Sequence, residues 1–187
     1  MKYFLFLFIF SISLMAKEVS KESLRVRSVL GAAFCSKKPL KKGDTLKPDC
    51  KLSTHARSNV YLEIEKSKEI FSFGENSKGM ILPQNIIRLD AGILRIKADK
   101  GYVIKTPQAH IDAKKGDYLI QTSPFLQETE LISLEGSATL KSITDSSERA
   151  LVSQNYWGGI GGRFGNKIGD LLSLSSEQNK VFKVILD

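Results

Sequence analysis

The chain has 187 residues, of which 42% are hydrophobic and 26% are charged, with 14 Gly and 5 Pro. This is an ordinary globular composition, so it excludes a mainly disordered, a collagen-like and a multi-span membrane protein. At roughly 150 residues per domain the length predicts one domain, which is large enough to bury a core without a metal or dense disulfides. Lys and Arg outnumber Asp and Glu by 28 to 20, which gives a formal net charge of +8.

The N-terminus has the pattern of a secretory signal peptide over residues 1–16. Lys2 opens the pattern, an apolar run extends from Tyr3 to Met15, and the small residue Ala16 precedes a charged segment. The run is shorter than the roughly 20 residues that a transmembrane helix needs, although an uncleaved membrane anchor is an open alternative. We therefore expect an exported protein, periplasmic or extracellular, soluble or peripherally attached, in which residues 17–23 form a polar tail.

From residue 24 onward, apolar and polar residues alternate with a period of two, which predicts half-buried β-strands. No helical pattern of ten residues occurs before position 170, and this disfavours an α/β enzyme fold because its crossover helices are missing. The predicted strands are Leu24–Val29, Val60–Glu65, Ile70–Phe73, Ile86–Asp90, Ile93–Lys97, Tyr102–Thr106, His110–Ala113, Asp117–Gln121, Glu130–Leu134, Ala138–Lys141 and Ala150–Val152.

Turn signals separate these predicted strands at short intervals. Many short strands divided in this way predict an all-β protein, which is a sandwich, a barrel or a short β-solenoid. The turn signals are Gly74, Gly79, Asp90–Gly92, Asp99–Gly101, Lys115–Asp117 and Glu135–Gly136.

The C-terminal part has a different character. A glycine-rich stretch over residues 156–165 abandons the alternation, and Ser175 or Ser176 then provides the N-cap of a predicted helix with Glu177 in its first turn. We expect residues 156–187 to pack on a β domain formed by residues 24–155. The apolar face of the helix consists of Val181, Phe182, Ile185 and Leu186.

The two cysteines, Cys35 and Cys50, are the only ones in the sequence. In an exported protein such a pair is more often a disulfide than a metal site. A redox function is disfavoured because the C-x-x-C spacing is absent. We therefore predict a structural disulfide between them.

Short motifs follow one another in a characteristic order between residues 26 and 155. They are Gly43–Leu46, Leu52–Thr54, Ser58–Ile64, Leu89–Leu94, Tyr102–Pro107 and Leu131–Leu140. Their order resembles the FecR domain family, whose members carry a G-D-x-L turn, a Leu-x-Thr strand, an f-x-V-x-T-P segment and a closing hairpin around an e-G pair. The sequence departs from the family at Lys115–Ile120, where the family often has v-x-G-T-x-F-x-V.

The resemblance implies an all-β binding domain. The archetype of the family is an inner-membrane regulator with a cytoplasmic anti-sigma segment, one membrane span and a periplasmic FecR domain that receives a signal from an outer-membrane transporter. For this chain we expect no cytoplasmic segment and no span beyond the signal peptide. The resemblance then implies an exported FecR-like module that docks another envelope component.

The glycine-rich stretch does not fit a phosphate-binding loop. Neither the dinucleotide pattern nor the ATP-type pattern is complete, since Phe164 takes the place of the third glycine and Asn166 precedes Lys167. The stretch has a structural interpretation, in which Trp157 and Phe164 are packing anchors. It also has a functional one, in which Trp157, Arg163 and Phe164 form a surface docking patch, because Trp and Arg are enriched in interface hot spots.

Six lysines lie between and beside the two cysteines, against only two acidic residues there. A disulfide-constrained basic loop is a candidate site for anionic envelope polymers, such as peptidoglycan, or for phospholipid head groups; the alternative is a merely soluble loop. Nucleic acid is disfavoured as a partner because basic and aromatic residues do not alternate. The lysines are Lys37, Lys38, Lys41, Lys42, Lys47 and Lys51.

Catalytic signals are weak. The nucleophile elbow G-x-S-x-G is absent, and the two imidazoles, His55 and His110, have no neighbours at metal-ligand spacing. We therefore expect no catalytic residue, metal or cofactor, and predict a non-catalytic module that acts through protein docking. Two alternatives stay open, a basic module that binds wall polymer or anionic lipid, and an envelope hydrolase whose carboxylates converge in space.

Overall fold

The computed structural model describes residues 23–47 and 49–186. The predicted signal peptide, and the predicted polar tail up to residue 22, lie outside the described residues. The strands are β1 Leu24–Leu30, β2 Ala33–Cys35, β3 Lys38–Pro39, β4 Thr45–Leu46, β5 Lys51–Thr54, β6 Asn59–Ile64, β7 Ile70–Phe73, β8 Lys78–Leu82, β9 Ile86–Ala98, β10 Tyr102–Lys105, β11 Ala109–Ser123, β12 Glu128–Ser142, β13 Arg149–Ser153, β14 Tyr156–Gly161 and β15 Leu172–Ser173. A 3-10 turn, Gly162–Phe164, follows β14, and one helix, α1 Ser176–Val184, follows β15. The predicted all-β fold with a short C-terminal helix is confirmed.

Hydrogen bonds join the strands into one continuous sheet that has two parts. Sheet I runs in the order β3-β2-β5-β8-β9-β10-β11-β12-β13, and sheet II runs β4-β1-β6-β7-β9-β11-β12-β14-β15. The long strands β9, β11 and β12 belong to both parts, because each contributes one half of its length to sheet I and the other half to sheet II. All pairs are antiparallel except β9 with β10.

The long strands bend where they pass from one part to the other. Gly92 and Gly136 lie at these bends with φ of 89° and 82°. A Cβ on Gly136 would lie 2.4 Å from the carbonyl oxygen of Lys115, and one on Gly92 would lie 2.3 Å from Ser77 Oγ. Only glycine fits both the backbone conformation and the close approach.

The predicted turns Asp90–Gly92, Lys115–Asp117 and Glu135–Gly136 are therefore wrong as strand ends. They are bends within β9, β11 and β12, so three predicted pairs of short strands are three strands of 13 or 15 residues. The predicted turn at Gly79 is also wrong, since Gly79 lies within β8. Glycine interrupts alternation equally at a turn and at a bend, and the sequence pattern does not distinguish the two.

A single hydrophobic core draws on both parts. Phe71, Leu94 and Leu131 of sheet II and Ile111 and Leu140 of sheet I are all fully buried in the same cluster. The two parts therefore face each other across this core. Each fully buried side chain of this size contributes roughly 1.5–3 kcal/mol by leaving water.

Tyr118 connects the bends of β11 and β12 with the hydrophobic core. Its ring is fully buried, and its hydroxyl donates to the carbonyl oxygen of Ser137 at 2.8 Å. Burial raises the pKa of this hydroxyl above its ordinary value, and the hydrogen bond to Ser137 partly opposes the shift. The phenol therefore stays protonated where it bridges β11 and β12.

The C-terminal helix lies against the outer face of sheet II. Ser175 is its N-cap and forms a capping box with Gln178, as expected for one of the two candidate serines. At its other end, the buried guanidinium of Arg95 donates to the carbonyl oxygens of Lys183 and Ile185 at 2.7 and 2.9 Å. These bonds satisfy two carbonyl groups that the helix leaves unpaired.

The helix contributes little apolar burial. None of its residues is buried, and Val181, which was expected on the packed face, is exposed. Phe182 is half-buried, and Leu186, beyond the helix, fits beside Gly74, where an added Cβ would lie 3.2 Å from its Cδ2. The helix is held to the sheet by the hydrogen bonds from Arg95 and by the packing of Leu186, rather than by an apolar stripe.

Candidate functional site

The predicted docking residues come together on the outer face of sheet II. Trp157 lies on β14 opposite Ile132, next to Gly158, which pairs with the fully buried Leu131 of the core. Because neighbouring residues of a strand point to opposite faces, Trp157 points away from the core. The 3-10 turn then returns the chain over the same face, and it carries Arg163 and Phe164.

The ring of Phe164 packs closely against two glycines. A Cβ on Gly159 would lie 2.3 Å from Phe164 Cε2, and a Cβ on Gly169 would lie 2.3 Å from Cδ1 of the same ring. The phenyl ring thus packs directly on the backbone of β14 and of the segment that follows the turn. A backbone hydrogen bond from Gly169 to Gly159 at 3.0 Å closes this arrangement.

Arg163 is packed against both aromatic rings. Its guanidinium carbon lies 5.2 Å from the centre of the Trp157 ring and 4.9 Å from the centre of the Phe164 ring. The two rings meet edge to face with centres 6.3 Å apart. This geometry is a double cation–π contact, although the side chain of Arg163 is still 57% exposed. We call these three residues the aromatic–arginine patch.

Two carboxylates of β12 lie beside the patch and pair with its arginine. Arg163 forms ion pairs with Glu130 and with Glu128, the latter at 3.4 Å. Burial raises the pKa of Glu130 above its ordinary value, the neighbouring carboxyl of Glu128 raises it further, and the charge of Arg163 opposes both effects. The guanidinium therefore neutralises much of two crowded acidic groups.

The lysine segment differs from the aromatic–arginine patch in its exposure and in its ion pairing. It consists of Lys37, Lys38, Lys41, Lys42, Lys47 and Lys51. All six side chains are exposed, and none forms an ion pair with another described residue. The predicted disulfide Cys35–Cys50 is present and joins β2 to the residue before β5, with Cα atoms 5.5 Å apart. It holds both ends of the segment together.

The two histidines lie apart from each other. His55 is exposed and packs against Phe34 with ring centres 5.0 Å apart. His110 is exposed on β11, where it pairs with Lys105 of β10. Among the described residues, no three His, Cys, Asp or Glu side chains are grouped as a metal would require.

A shallow depression of about 260 Å³ lies elsewhere on the outer face of sheet II, away from the patch. Its lining includes Tyr61 and Ile70 together with Glu63, whose carboxylate pairs with Arg27 and, at 3.6 Å, with Lys68. The carboxylate is thus already neutralised by two cations. The depression therefore offers no unpaired carboxylate to a cation.

Sequence reasoning missed two features. Arg95 and Asp117 form a bidentate pair with both distances 3.0 Å, and both side chains are buried. The tip of the β11–β12 hairpin carries Phe125, which is 93% exposed, and Leu126, which is 55% exposed. The signal for the tip was present as an apolar pair after Pro124 between two alternating strands. The pairing of Arg95 with Asp117, 22 residues away, had no local signal.

Comparison with known proteins gives a likeness of fold alone. No protein-family model matches the chain, and no curated protein matches it. One crystal structure, of a candidate anti-sigma factor from Parabacteroides distasonis, superposes with a TM-score of 0.58 at 6% identity, covering 71% of this chain and 64% of that one. A second crystal structure with the same description and source gives a TM-score of 0.42 at 9% identity, covering 72% and 59%.

The likeness thus spans somewhat less than two thirds of the first neighbour's length. Within the described residues, no helix combines the length and the apolar character needed to cross a bilayer.

Proposed function

We propose that this protein is a FecR-like, non-catalytic module of the bacterial envelope that serves as a signalling accessory by docking another envelope protein. The fold likeness to a candidate anti-sigma factor supports a regulatory class of function. The order of the motifs between residues 26 and 155 supports a FecR-like domain. The signal-peptide pattern at residues 1–16 supports export.

The docking assignment is carried by the aromatic–arginine patch. Trp and Arg are the residue types that dominate interface hot spots. Here an exposed guanidinium is already packed between two rings and paired with Glu128 and Glu130. Binding of a partner costs little side-chain entropy in the patch, because the side chains of the patch are ordered before the partner arrives.

The partner chemistry follows from the charges of the patch. One arginine faces two carboxylates, so the patch carries no excess of positive charge. A partner that offers an apolar surface with a hydrogen-bond donor or a cation at its edge fits this arrangement better than a polyanion does.

The experiment is an in-cell cross-linking pull-down of the tagged protein, compared between wild type and Trp157→Ala. We expect one discrete envelope protein at near-stoichiometric yield, and its loss in Trp157→Ala with the unfolding temperature lowered only slightly. Leu151→Ala is the matched control, since Leu151 is 55% exposed on β13 and lies outside the patch. Equal capture by Trp157→Ala and wild type would contradict the proposal, as would turnover of envelope polymers by the purified protein.

A second function is favoured by the state of the lysine segment. Some lysines elsewhere pair with carboxylates, as Lys115 does with Asp99 at 2.8 Å, whereas none of the six lysines of the segment has such a partner among the described residues, and all six lie close together in the sequence. A clustered, uncompensated charge attracts anionic wall polymer or anionic lipid. The attraction weakens as salt is added.

Sedimentation with purified envelope polymers tests this second function. Replacing the six lysines with Gln should abolish binding at low salt. The matched control replaces six exposed lysines elsewhere with Gln, so that the net charge is the same in both variants; these are Lys78, Lys105, Lys114, Lys167, Lys180 and Lys183. Equal losses in the two variants would show that only net charge matters and would contradict a localised site.

A further inference from the structure

The tip of the β11–β12 hairpin is the most exposed apolar feature among the described residues. Phe125 is 93% exposed and Leu126 is 55% exposed. They lie at the end of the longest hairpin, whose strands have 15 residues each. A phenyl ring with so little contact to its own chain does not contribute to the core. Contiguous exposed apolar groups mark contact sites, whereas single ones do not, and Phe125 and Leu126 are adjacent.

The tip carries no charge. Thr122–Gln127 contains no Asp, Glu, Lys, Arg or His, in a chain of which 26% is charged. The first acidic residue beyond the tip is Glu128, and its carboxylate pairs with Arg163 at 3.4 Å. Transfer of the tip into an apolar medium would therefore not bury an unpaired charge, which is the main cost of such a transfer.

The backbone of the tip is held by hydrogen bonds and by a neighbouring turn. Leu126 N–H donates to Ser123 Oγ at 3.2 Å, and the hydroxyl of Thr122 donates to the carbonyl oxygen of Glu128 at 3.1 Å. A Cβ on Gly162 would lie 2.7 Å from the carbonyl oxygen of Leu126, so the 3-10 turn supports the tip from one side. Hydrogen bonds and the neighbouring 3-10 turn thus support the apolar tip.

A second apolar side chain lies at the same end of the molecule. Ile143 is 48% exposed, and its N–H donates to the carbonyl oxygen of Gln108. The side-chain oxygen of Gln108 in turn accepts from Thr122 and Thr129, at the two strand ends of the hairpin. The turn that carries Ile143 is therefore connected to the base of the tip.

This end carries three exposed cations and one exposed carboxylate. Lys105, Arg149 and Lys167 are exposed, and none forms an ion pair with a described residue, although the charge of Lys167 acts on the exposed carboxylate of Asp145. Lys105 is the last residue of β10, and Arg149 pairs with Lys141 of β12 close to that strand's end. Apolar side chains at the apex with cations behind them match a bilayer, whose apolar interior lies beneath phosphate head groups.

We propose that the hairpin tip is a reversible lipid-bilayer contact, in which Phe125 and Leu126 insert below the head groups. A bilayer accepts a convex apolar point without shape complementarity, whereas a protein hot spot needs surrounding contacts that exclude water. All four residues Pro124–Gln127 are exposed, so the tip has no such surroundings. Two side chains anchor weakly, since even one whole acyl chain gives only marginal binding.

The test is flotation of the purified chain, residues 17–187, with vesicles of phosphatidylethanolamine and phosphatidylglycerol, at low and at high salt. We expect partition that persists at high salt and falls at least tenfold when Phe125 and Leu126 are both replaced with Ser. Leu151→Ser, an equally exposed leucine on β13, should partition as wild type does. The unfolding temperatures of all variants should agree, because these side chains touch little.

Three outcomes would overturn the proposal. They are the absence of partition, partition that the tip variant retains, and partition that disappears with salt and follows the lysine segment. In the last case the basic segment, and not the tip, binds the lipid. The proposal is independent of protein docking at the patch, because Trp157→Ala should leave vesicle binding unchanged and the tip variant should leave partner capture unchanged.

Discussion

The aromatic–arginine patch and the lysine segment are the two surface regions that the sequence singled out, and they are built in opposite ways. In the patch, Arg163 is held by two rings and two carboxylates. In the lysine segment, six charges are exposed without such partners. An ordered and neutralised group suits short-range, specific contact, and an uncompensated charge suits long-range, salt-sensitive attraction. The difference is why we assign specific docking to the patch.

The lysine segment depends on its disulfide. Replacing Cys35 and Cys50 with Ser should cost roughly 3 kcal/mol of unfolding free energy, the loop-closure value for about 15 residues. Denaturant unfolding under oxidising and reducing conditions measures this cost. The variant should match the reduced wild type, and a cost under about 1 kcal/mol would contradict the view that the disulfide holds the segment's ends.

The patch depends on Gly159. The Gly159→Ala variant places a methyl group 2.3 Å from an atom of Phe164, so the ring must move, at a cost of about 1–3 kcal/mol. Gly101→Ala is the control, because its methyl group meets only the carbonyl oxygen of Ala113 at 3.3 Å. Thermal unfolding together with Trp157 fluorescence reports both the stability and the ring contact. Unchanged fluorescence in Gly159→Ala would contradict the seating of Phe164.

The patch should also respond to pH. Because the pKa of Glu130 is raised in the folded state, the fold binds this proton more tightly than the unfolded chain does. The stability contributed by Glu130 is therefore lower above the raised pKa and increases as the pH falls through it. Glu130→Gln should remove this part of the pH dependence, as urea unfolding at a series of pH values would show. An identical pH profile in both proteins would contradict the shift.

The smallest expected effect on stability is that of Arg163→Lys. Lysine keeps the charge but loses the planar stacking, and an exposed cation–π contact is worth about 0.5–1 kcal/mol. We expect a loss of stability in that range, measured by chemical unfolding, with a larger loss of partner capture. A loss of stability without any loss of capture would show that Arg163 is structural only.

Much of the fold could be predicted from the sequence. Alternation placed Leu62, Ile96 and Leu131 on buried strand faces, because the two faces of a strand meet different environments. The strand lengths could not be predicted, since Gly92 and Gly136 interrupt the alternation whether the chain turns back or merely bends.

Some residues of the motifs that were compared with the FecR family have structural positions in this fold. Gly92 and Gly136 lie at the bends of the long strands, and Thr106, of the T-P motif, hydrogen-bonds Thr129 across the interior at 2.8 Å. Such positions constrain the path of the chain rather than its chemistry. Motifs of this kind therefore indicate a fold and leave the partner undetermined.

The candidate site was only partly predictable. Trp157, Arg163 and Phe164 lie within eight residues of one another, so local reasoning could group them. Glu128 and Glu130 approach only through the pairing of β12 with β14, which no local pattern shows. Phe125 was missed because an apolar residue in a hairpin turn does not alter strand periodicity.

The most direct test of the docking assignment is site-specific photo-cross-linking in cells, with the photoreactive residue at position 172 in one variant and at position 38 in another. Leu172 is 50% exposed and lies opposite Trp157, so the probe adjoins the patch without replacing one of its residues. We predict that position 172 yields one discrete envelope protein, and that this protein is absent from the products of position 38. The same protein captured from position 38 and not from position 172 would contradict the assignment of docking to the patch.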